Sequence, residues 1–472
     1  MKTAINVFSP LDPTSAAPLY RQIHERFRRA IATGALKPGD RIPSARALMV
    51  ELGLARGTVE AAYASLAAEG YIQARGQAGT IVTPGLKPRM PVALPERRLQ
   101  SGTLAAGFRP DSILPFQMGL PALDAFPRKL WARLGARCVR SMQPADMAHP
   151  PVQGLPALRA EIATYLQVAR GIACEASQVF VTSGYRQTME LIAHALLKEG
   201  DQVWLEDPGY PPTRVLMAQR RIDVVPVPVD SEGMVVAEGV KLAPRARAAV
   251  VTPAHQSPMC VSLSLPRRQA LLDWAARGHA WIIEDDYDGE YRYVGRPLPA
   301  LKSLDREGRV LYAGTFSKVL FPGIRLAYLV VPKSEVARFE EVSDIITGGC
   351  PSLTQSVLTA FITEGHFARH IQRMRKLYAE RRKAAIAGLT SALGTHATID
   401  VPPGGMHLVL RLDARRSDRL LVAELREAGL YAEALSDWAL VGEVKPAILV
   451  GFTNIDSQAT AQALGKQIQQ LL

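Results

Sequence analysis

From residue 111 onward, short apolar runs alternate with longer segments whose apolar residues recur at helical spacing. The short runs include QVFVTSG, DQVWLEDP, AAVVTPA, AWIIEDD, RVLYAGTFS and LAYLVVP, and helical patterns such as PALRAEIATYLQVAR lie between them. This alternation predicts an α/β fold with a mostly parallel central sheet. Ligands of such sheets bind beyond the carboxyl ends of the strands, so we expect the functional residues in the loops there.

Residues 18–83 show a different pattern, which predicts a helix-turn-helix followed by two short strands. The first helix has one apolar face, made of Leu19, Ile23, Phe27, Ala30 and Ile31. Gly34 ends it, and a second short helix begins near Ser44, a favourable N-cap residue. After a turn at Gly53, a third helix runs from about Arg56 to Glu69. The segment YIQARGQAGTIV then predicts two strands joined by a glycine turn, which form a wing.

Residues 84–110 are rich in Pro, Gly and Arg and predict an extended linker between domains at 12–83 and 111–472. The first 110 residues contain fifteen Lys/Arg and seven Asp/Glu, so they carry +8 of the net charge of +12. This concentration of positive charge favours a polyanionic partner for the N-terminal part. The alternative is a charged, solvent-exposed surface without a polyanionic partner, which would have the same composition.

The composition also excludes several classes of protein. No apolar run is long enough to span a membrane, and the N-terminus lacks the apolar core of a secretory signal, so we expect a cytoplasmic protein. The four cysteines have neither disulfide nor metal-site spacing. We therefore predict no metal site and interpret the cysteines as reduced packing residues.

The strongest chemical signal is Lys318, in a loop between two apolar strands with Arg325 seven residues further on. A desolvated lysine loses its proton readily and forms an imine with an aldehyde. An arginine binds a phosphate through two hydrogen bonds. Both requirements arise together if the aldehyde carries a phosphate, as pyridoxal 5′-phosphate (PLP) does.

Other strand ends supply what PLP needs. Asp285 can pair with the protonated ring nitrogen, Tyr287 can reach the ring hydroxyl, and Tyr210 can stack on the ring. His255 and Gln256 lie at a further strand end, within reach of the same oxygen. The turn at residues 183–184 precedes a helix whose backbone amides suit a phosphate. Each residue alone is also compatible with a packing or capping role.

Residues 18–83 resemble the winged helix of GntR-type bacterial regulators in the phrases PLYRQI, PGDRIPSARALM, RGTVEAAYASLAAEGY and AGTIV. The resemblance implies contacts to operator DNA from Arg41, Ser44, Arg46, Arg56, Thr58, Arg75, Gly79 and Thr80. Arg56 and Thr58 would begin the recognition helix in the major groove, and the wing would enter the minor groove. The family usually has Ser-Arg-Asn where this chain has Ala55-Arg56-Gly57, which indicates a lost phosphate contact.

Residues 111–472 resemble fold-type I aminotransferases, and the whole chain resembles the MocR/GabR subfamily of GntR-type regulators. The phrases that carry this resemblance are FPRKLWARL, EDPGYP, IIEDDYD, GTFSK, LFPGIRLAYLV and GHFARHIQRMR. It implies that Lys318 holds PLP as an imine, while Asp285, Tyr287 and Tyr210 hold the ring. It further implies a phosphate site made of Arg325, Thr315, Ser183 and Gly184, and a head-to-tail, domain-swapped homodimer.

Four residues depart from the relatives near the expected site. His149 stands where relatives have a tyrosine that reaches the partner's phosphate, and Tyr185 and Arg186 add bulk and charge beside the phosphate loop. Asp437 stands where relatives that bind carboxylates have an arginine. Because an anionic side chain repels a carboxylate, we expect an effector with a cationic or neutral group there.

The leading hypothesis is a PLP-dependent, DNA-binding transcription regulator that senses a small amine or amino acid through an external aldimine. The alternative is a working PLP-dependent aminotransferase with a fused DNA-binding module. A purely architectural DNA-binding protein would leave the PLP residues unexplained.

Overall fold

The computed structural model describes residues 11–12, 15, 17–76, 79–86, 113–295, 299–413, 416–441 and 444–472. The chain divides into two compact units, Met1–Phe108 and Arg109–Leu472. All but the first three residues of the predicted linker, 84–110, lie outside the described residues. Within the described part of the chain, no helix has the length and apolar character that a membrane span requires.

The N-terminal unit has the three helices and two strands that the sequence predicts. They are α1 (Leu19–Ala32), α2 (Ala45–Leu52), α3 (Arg56–Ala68), β1 (Ile72–Ala74) and β2 (Thr80–Val82). Ile23, Phe27 and Ile31 of α1 are almost fully buried and pack with Val59 and Leu66 of α3. The strands β1 and β2 pair antiparallel to form the wing. The apolar face predicted for α1 is therefore confirmed, except that Leu19 is only half-buried.

The two helices of the helix-turn-helix begin differently. The Ser44 hydroxyl caps α2 by accepting a hydrogen bond from the backbone N–H of Ala47 at 3.1 Å. Gly53 ends α2 in the left-handed region at φ 63°, which glycine adopts without strain. Helix α3 starts after Ala55, whose side chain makes no capping hydrogen bond. The departure from Ser-Arg-Asn thus leaves α3 without a side-chain cap, and the amide of Thr58 donates instead to the backbone oxygen of Ala55 at 3.1 Å.

The C-terminal unit alternates helices and strands. Its helices are α4 (Arg128–Ser141), α5 (Pro156–Arg170), α6 (Tyr185–Leu196), α7 (Pro211–Gln219), α8 (Val236–Leu242), α9 (Leu265–Gly278), α10 (Val336–Ile346), α11 (Ser352–Thr363), α12 (His366–Leu393), α13 (Asp418–Glu427) and α14 (Gln458–Leu471). Its strands are β3 (Val179–Thr182), β4 (Gln202–Asp207), β5 (Asp223–Asp230), β6 (Gly233–Met234), β7 (Ala248–Val251), β8 (Trp281–Asp286), β9 (Val310–Thr315), β10 (Ala327–Val330), β11 (Ala397–Asp400), β12 (His407–Leu412), β13 (Glu433–Ala434) and β14 (Ala447–Gly451).

Eight strands form the central sheet, in the order β3-β10-β9-β8-β7-β4-β5-β6. The strands from β9 to β5 run parallel to one another, and β10 is antiparallel to both of its neighbours. Separate apolar clusters cover the sheet, with Met189 and Phe339 in one and Leu271 and Trp274 in another. The predicted α/β fold with a mostly parallel sheet is confirmed.

A second, antiparallel sheet has the order β11-β12-β14-β13. Its buried residues Leu408, Leu410 and Ile448 pack with Tyr378 of α12 and Ile468 of α14. The described residues that precede α4 join this sheet through a bridge between Phe116 and Gly451. This packing brings the chain around Gly119 and the chain after α13 to the same region.

We predict that Ala55→Ser stabilises α3 by about 1 kcal/mol, because a serine hydroxyl would accept the hydrogen bond of an N-terminal amide. Native-state hydrogen exchange of the full-length protein should show about fivefold slower opening of the α3 amides. The matched change Ser44→Ala should accelerate exchange in α2. Unchanged α3 exchange in Ala55→Ser would contradict the assignment of Ala55 as a weak cap.

Candidate functional site

The predicted PLP residues of the C-terminal unit follow the strands of the central sheet. They lie after β3 (Ser183, Gly184), after β4 (Tyr210), after β7 (His255), at and after β8 (Asp285, Tyr287), at and after β9 (Thr315, Lys318) and directly before β10 (Arg325). The parallel strands end at one edge of the sheet, and the antiparallel β10 begins there. The sheet topology therefore gathers these residues at one edge, as the sequence predicts.

The amine of Lys318 lies at the centre of this edge. Its Nζ donates a hydrogen bond to the backbone oxygen of Gly119 at 2.8 Å. Burial lowers the pKa of Lys318, although the charges of Asp288, Asp285 and Glu433 oppose the shift. Gly119 has φ 64°, and a Cβ there would lie 2.3 Å from Nζ. The site therefore favours a neutral, nucleophilic amine, and it needs a glycine at position 119.

The three consecutive acidic residues 284–286 at the end of β8 point to two different faces of the strand. Glu284 accepts hydrogen bonds from the amides of Leu301 and Lys302, both at 2.8 Å. Asp286 forms a buried ion pair with Arg170 and accepts a hydrogen bond from the Tyr312 hydroxyl. Successive side chains of a strand point to opposite faces, so Asp285 points away from these two carboxylates.

Asp285 is buried, and its carboxylate accepts no hydrogen bond from any residue that the structure describes. Burial raises the pKa of Asp285 well above its usual value, and the charges of Asp286 and Glu206 add to this, while Lys318 opposes it. A carboxylate in this position gains most from a cationic partner, which restores its charged form. A protonated pyridine nitrogen is such a partner.

The hydroxyl of Tyr287 contacts a histidine ring. The Tyr287 hydroxyl lies 2.9 Å from Nδ1 of His255, and the same nitrogen lies 3.2 Å from Oδ2 of Asp288. Although burial opposes it, Asp288 raises the pKa of His255 well above its usual value. His255 thus contacts Tyr287, so its predicted cofactor role is best described as positioning this tyrosine. The Gln256 amide is bound to Pro208 O at 2.9 Å and to Glu206, so it holds the loop instead of facing a cofactor oxygen.

Cys260 corrects the interpretation of the cysteines as packing residues alone. All four are free, but the buried Cys260 lies with Sγ 3.1 Å from Nε2 of His407 and has φ 61°, in the left-handed region. Burial raises the pKa of the thiol, yet His407 and His255 outweigh burial and lower it to about 6. The sequence has no motif that predicts this contact, because Cys260 lies in the loop after β7 and His407 begins β12, 147 residues further on.

The predicted phosphate end of the site contains Gly184 and Arg325. Gly184 has φ 113° and precedes α6, and a Cβ on it would lie 3.1 Å from a guanidinium nitrogen of Arg325. The guanidinium therefore lies against the N-terminus of α6, whose free amides attract anions. Among the described residues, Arg325 forms no ion pair with a carboxylate. The backbone amide of Ser183 donates to Gln187, and Thr315 accepts from the amide of Ser317 at 3.1 Å.

A cleft with about 400 Å³ of empty space lies next to this end. Tyr185, Tyr210, Thr213 and Trp438 are among its lining residues. The ring of Tyr210 is 40% exposed and lies 5.5 Å from the ring of Tyr185 and 5.8 Å from that of Trp438. The Tyr185 hydroxyl is hydrogen bonded to that of Thr213 at 2.7 Å. Tyr210 is thus partly exposed at the cleft, and its stacking on a planar ligand stays a prediction.

The remaining predicted residues lie around this centre. Arg186 is exposed in the first turn of α6. Burial raises the pKa of Tyr210, and the charge of Arg186 opposes this shift. His149 is exposed in the loop before α5. Asp437 is exposed, with Oδ1 2.7 Å from Nε of Arg419. Their roles stay predictions, and for Asp437 the ion pair with Arg419 already occupies the carboxylate.

The described residues fit PLP. Lys318 offers an amine whose pKa is lowered by burial, Asp285 a buried carboxylate without a hydrogen-bond donor among the described residues, and Arg325 a cation beside a helix N-terminus. Sequence analysis missed Gly119, Asp288 and Glu433, which surround Lys318. No sequence motif links these residues to Lys318, and only the fold brings them near it.

In the N-terminal unit, five predicted DNA-binding residues are exposed: Arg41, Ser44, Arg46, Arg56 and Arg75. Thr58, Gly79 and Thr80 are half-buried. The Arg41 guanidinium lies beside Gly79 of the wing, since a Cβ on Gly79 would approach Nε to 3.0 Å. Arg56 forms an exposed ion pair with Glu60 at 2.6 Å, which a phosphate would have to replace. The helix-turn-helix and the wing thus present arginines to solvent, as a nucleic-acid surface requires.

Both units match known protein families. The profile of "Bacterial regulatory proteins, gntR family" matches residues 19–82, and that of "Aminotransferase class I and II" matches residues 123–444. Fold and site together define a DNA-binding winged helix joined to a fold-type I aminotransferase domain whose cofactor is PLP.

Relatives with the same combination span nearly the whole chain. A probable rhizopine catabolism regulatory protein, MocR, of Rhizobium meliloti is 36% identical over 466 residues, which cover 96% of this chain and 94% of the relative. The pyridoxine biosynthesis transcriptional regulator PdxR of Corynebacterium glutamicum is 34% identical, with 97% and 96% covered. The chain therefore belongs to the MocR subfamily of GntR-type transcription regulators.

Solved aminotransferases share the fold of the C-terminal unit. The kynurenine aminotransferase of Pyrococcus horikoshii superimposes with a TM-score of 0.70 at 25% identity and covers 77% of this chain and 91% of its own. LysN, an α-aminoadipate aminotransferase of Thermus thermophilus, gives 0.70 at 25%, with 76% and 92% covered. Its structure contains a phosphopyridoxyl-leucine adduct.

We predict that substitution of Asp286 lowers stability, whereas substitution of the neighbouring Asp285 weakens PLP binding. Asp286→Ala leaves the buried Arg170 unpaired and should lower the free energy of unfolding by about 3–5 kcal/mol, measured by urea titration. Asp285→Ala should change the stability of the PLP-free protein by less than about 1 kcal/mol but weaken PLP binding at least about tenfold, because a charged hydrogen bond is lost. Equal PLP affinities for Asp285→Ala and the unchanged protein would refute the assignment of Asp285.

The exposed arginines give a salt-dependent prediction. If Arg46 contacts a phosphate, Arg46→Ala should weaken binding to all DNA sequences similarly and reduce the slope of log affinity against log salt by about 1. Titration of a fluorescent duplex, selected in vitro from a random library, measures both. Arg306→Ala removes the same charge from an exposed site of the C-terminal unit and should leave the slope unchanged. An equal loss in both variants would indicate a general charge effect.

Proposed function

We propose that this transcription regulator senses a small amine or amino acid at Lys318 and changes its binding to operator DNA in response. The observation that carries the proposal is the buried amine of Lys318, whose pKa is lowered, within a chain that also has a DNA-binding unit. An effector amine would compete with Lys318 for the aldehyde carbon of PLP. Binding energy from this exchange can shift an equilibrium between two states of the regulator.

The residues of the chain have separable tasks in this site. When bound, PLP supplies an aldehyde that reacts with amines and a ring that withdraws electrons. Asp285 holds the proton at the ring nitrogen, and Tyr287, positioned by His255, hydrogen bonds the ring oxygen. Arg325 and the N-terminus of α6 bind the phosphate. Tyr210 packs on the ring face and excludes water from it.

The proposal includes a homodimer and a cytoplasmic location. A dimer places two winged helices at a fixed spacing, as two half-sites of an operator require. The head-to-tail arrangement expected from the family would also bring His149 to the partner's phosphate site. The exposed position of His149 is compatible with such a contact.

The complete set of PLP residues favours a second candidate function, amino-group transfer by the same site. Lys318 can carry a proton to and from the substrate, as aminotransferases require. Turnover of an amino donor with a keto acid, measured beside effector-dependent DNA binding, separates the two functions. Multiple turnovers without any change in DNA binding would favour the enzyme.

We predict that Lys318→Ala abolishes sensing but retains DNA binding. A screen of amines and amino acids against the PLP-loaded protein should find one that changes the cofactor absorbance and alters operator affinity at least about fivefold. Lys318→Ala should lack the absorbance of lysine-bound cofactor and show no effector-dependent change in affinity. In the unchanged protein, borohydride reduction followed by mass spectrometry should locate the cofactor adduct on Lys318.

Lys333→Ala is the matched control, because this lysine is exposed and its Nζ pairs with Glu175 at 2.8 Å. It should behave like the unchanged protein in both measurements. An effector response in Lys318→Ala equal to that of the unchanged protein would refute the proposed function.

A further inference from the structure

The segment Leu430–Val441, here named the C-terminal wall, forms one side of the cleft. Its position is fixed by hydrogen bonds to the loop that carries Tyr210. The amide of Gly209 donates to the backbone oxygen of Trp438 at 3.1 Å. The Asp207 carboxylate accepts from the amides of Leu440 and Val441 at 2.6 and 2.9 Å. The side chains of the wall therefore have defined positions relative to the ring of Tyr210.

Glu433 is the acidic residue of this wall whose charge acts on Lys318. It begins β13 and pairs with Leu449 of β14. Its Oε2 accepts a hydrogen bond from Nε1 of Trp438 at 3.0 Å, and the Trp438 ring lies 5.8 Å from that of Tyr210. Its second oxygen, Oε1, accepts no hydrogen bond from the part of the chain that the structure describes. One acceptor of Glu433 is thus available to a ligand.

The charge of Glu433 acts directly on the sensing amine. Burial raises the pKa of Glu433, while Trp438, Arg426, His407 and Lys318 lower it. Conversely, Glu433 is one of three carboxylates that oppose the lowering of the Lys318 pKa. With PLP in place, Asp285 faces the ring nitrogen and Asp288 faces His255. Glu433 then remains as the third carboxylate whose charge acts on Lys318.

The arginine that lines the cleft does not offset this charge. Arg214 donates to the backbone oxygens of Asp437 and Ala439 at 2.9 and 3.3 Å. Its guanidinium therefore holds the C-terminal wall and has fewer donors left for an effector carboxylate. Arg426, which also acts on Glu433, lies over the ring of Tyr431 at 5.4 Å. Because Oε1 of Glu433 has no hydrogen-bond donor among the described residues, it favours a ligand group that is cationic.

We propose that Glu433 determines effector specificity by pairing, through Oε1, with a second cationic group of the effector, so that the effector is a diamine or a basic amino acid. One amine of such a molecule reaches the Lys318 site, and the other ends at Glu433. This inference rests on the proposed function, and it transfers to Glu433 the charge selection that the sequence predicts for Asp437.

The test uses full-length, PLP-loaded protein and amines matched in length. The probes are 1,4-diaminobutane against butylamine, and lysine against norleucine, each titrated by cofactor absorbance and by operator binding. We expect the unchanged protein to bind the dicationic member of each pair at least about tenfold more tightly, because a hydrogen bond between two charged groups is gained. The length series of diamines from three to six carbons should show one optimum.

Glu433→Gln removes the charge but keeps an oxygen that can accept from Trp438. It should reduce the preference for the dicationic probe to less than about twofold and change the affinity of butylamine by less than about threefold. Glu427→Gln, an exposed change at the end of α13, controls for net charge and should retain the full preference. Asp437→Asn tests the rival position in the same wall.

The outcomes separate the two proposals. Equal affinities for monoamines and diamines in the unchanged protein, with a clear absorbance response, would overturn the role of Glu433 and leave sensing at Lys318 intact. Loss of preference in Asp437→Asn with retention in Glu433→Gln would assign selection to Asp437 instead. A lack of any response to these amines and to the wider screen would overturn both. A far-ultraviolet circular dichroism spectrum like that of the unchanged protein, together with a borohydride-trapped adduct on Lys318, verifies that Glu433→Gln is folded and holds PLP.

Discussion

The parallel alignment of β4, β7, β8 and β9 is the constraint on which the site depends. Parallel strands end at one edge of the sheet, so residues as far apart in the chain as Tyr210 and Lys318 are brought to one place. The antiparallel β10 contributes because Ala327, at its start, pairs with Thr315 at the end of β9 and with Thr182 at the end of β3. Arg325 therefore enters the same edge from the opposite direction.

Carboxylates that are adjacent in sequence have different tasks because strand geometry separates them. Glu284 and Asp286 point to the face where backbone amides and Arg170 compensate their charge. Asp285 points to the other face, where no described residue donates a hydrogen bond to it. A buried carboxylate without a partner is costly, and such a cost is acceptable where a ligand supplies the missing cation.

In the proposed function, cofactor binding and effector choice belong to different parts of the C-terminal unit. The cofactor residues lie on the central sheet, which this chain shares with solved aminotransferases. The C-terminal wall comes from the smaller antiparallel sheet and is attached to the Tyr210 loop by hydrogen bonds from Gly209, Arg214 and the amides of residues 440 and 441. Substitutions in this wall can alter the ligand while the central sheet, and with it the cofactor site, is retained.

The sequence by itself determined the two fold classes, the helices and wing of the N-terminal unit, and the chain order of the PLP residues. Period-3.6 and period-2 patterns and strand-end loops are local features, so they can be detected without coordinates. It also predicted the Ser44 cap of α2, because capping depends on one side chain and the amides next to it.

Only the tertiary structure decided which acidic residue of the C-terminal wall acts on the charge of Lys318. Asp437 and Glu433 are four residues apart, and no sequence pattern distinguishes them. The turn after β13 directs Asp437 outward to Arg419 and leaves Glu433 beside Trp438. In the same way, the contacts of Lys318 with Gly119 and of Cys260 with His407 join segments about 199 and 147 residues apart. Such contacts arise from the packing of two sheets, because the energy of a buried charge depends on all the atoms around it and not on its neighbours in the chain.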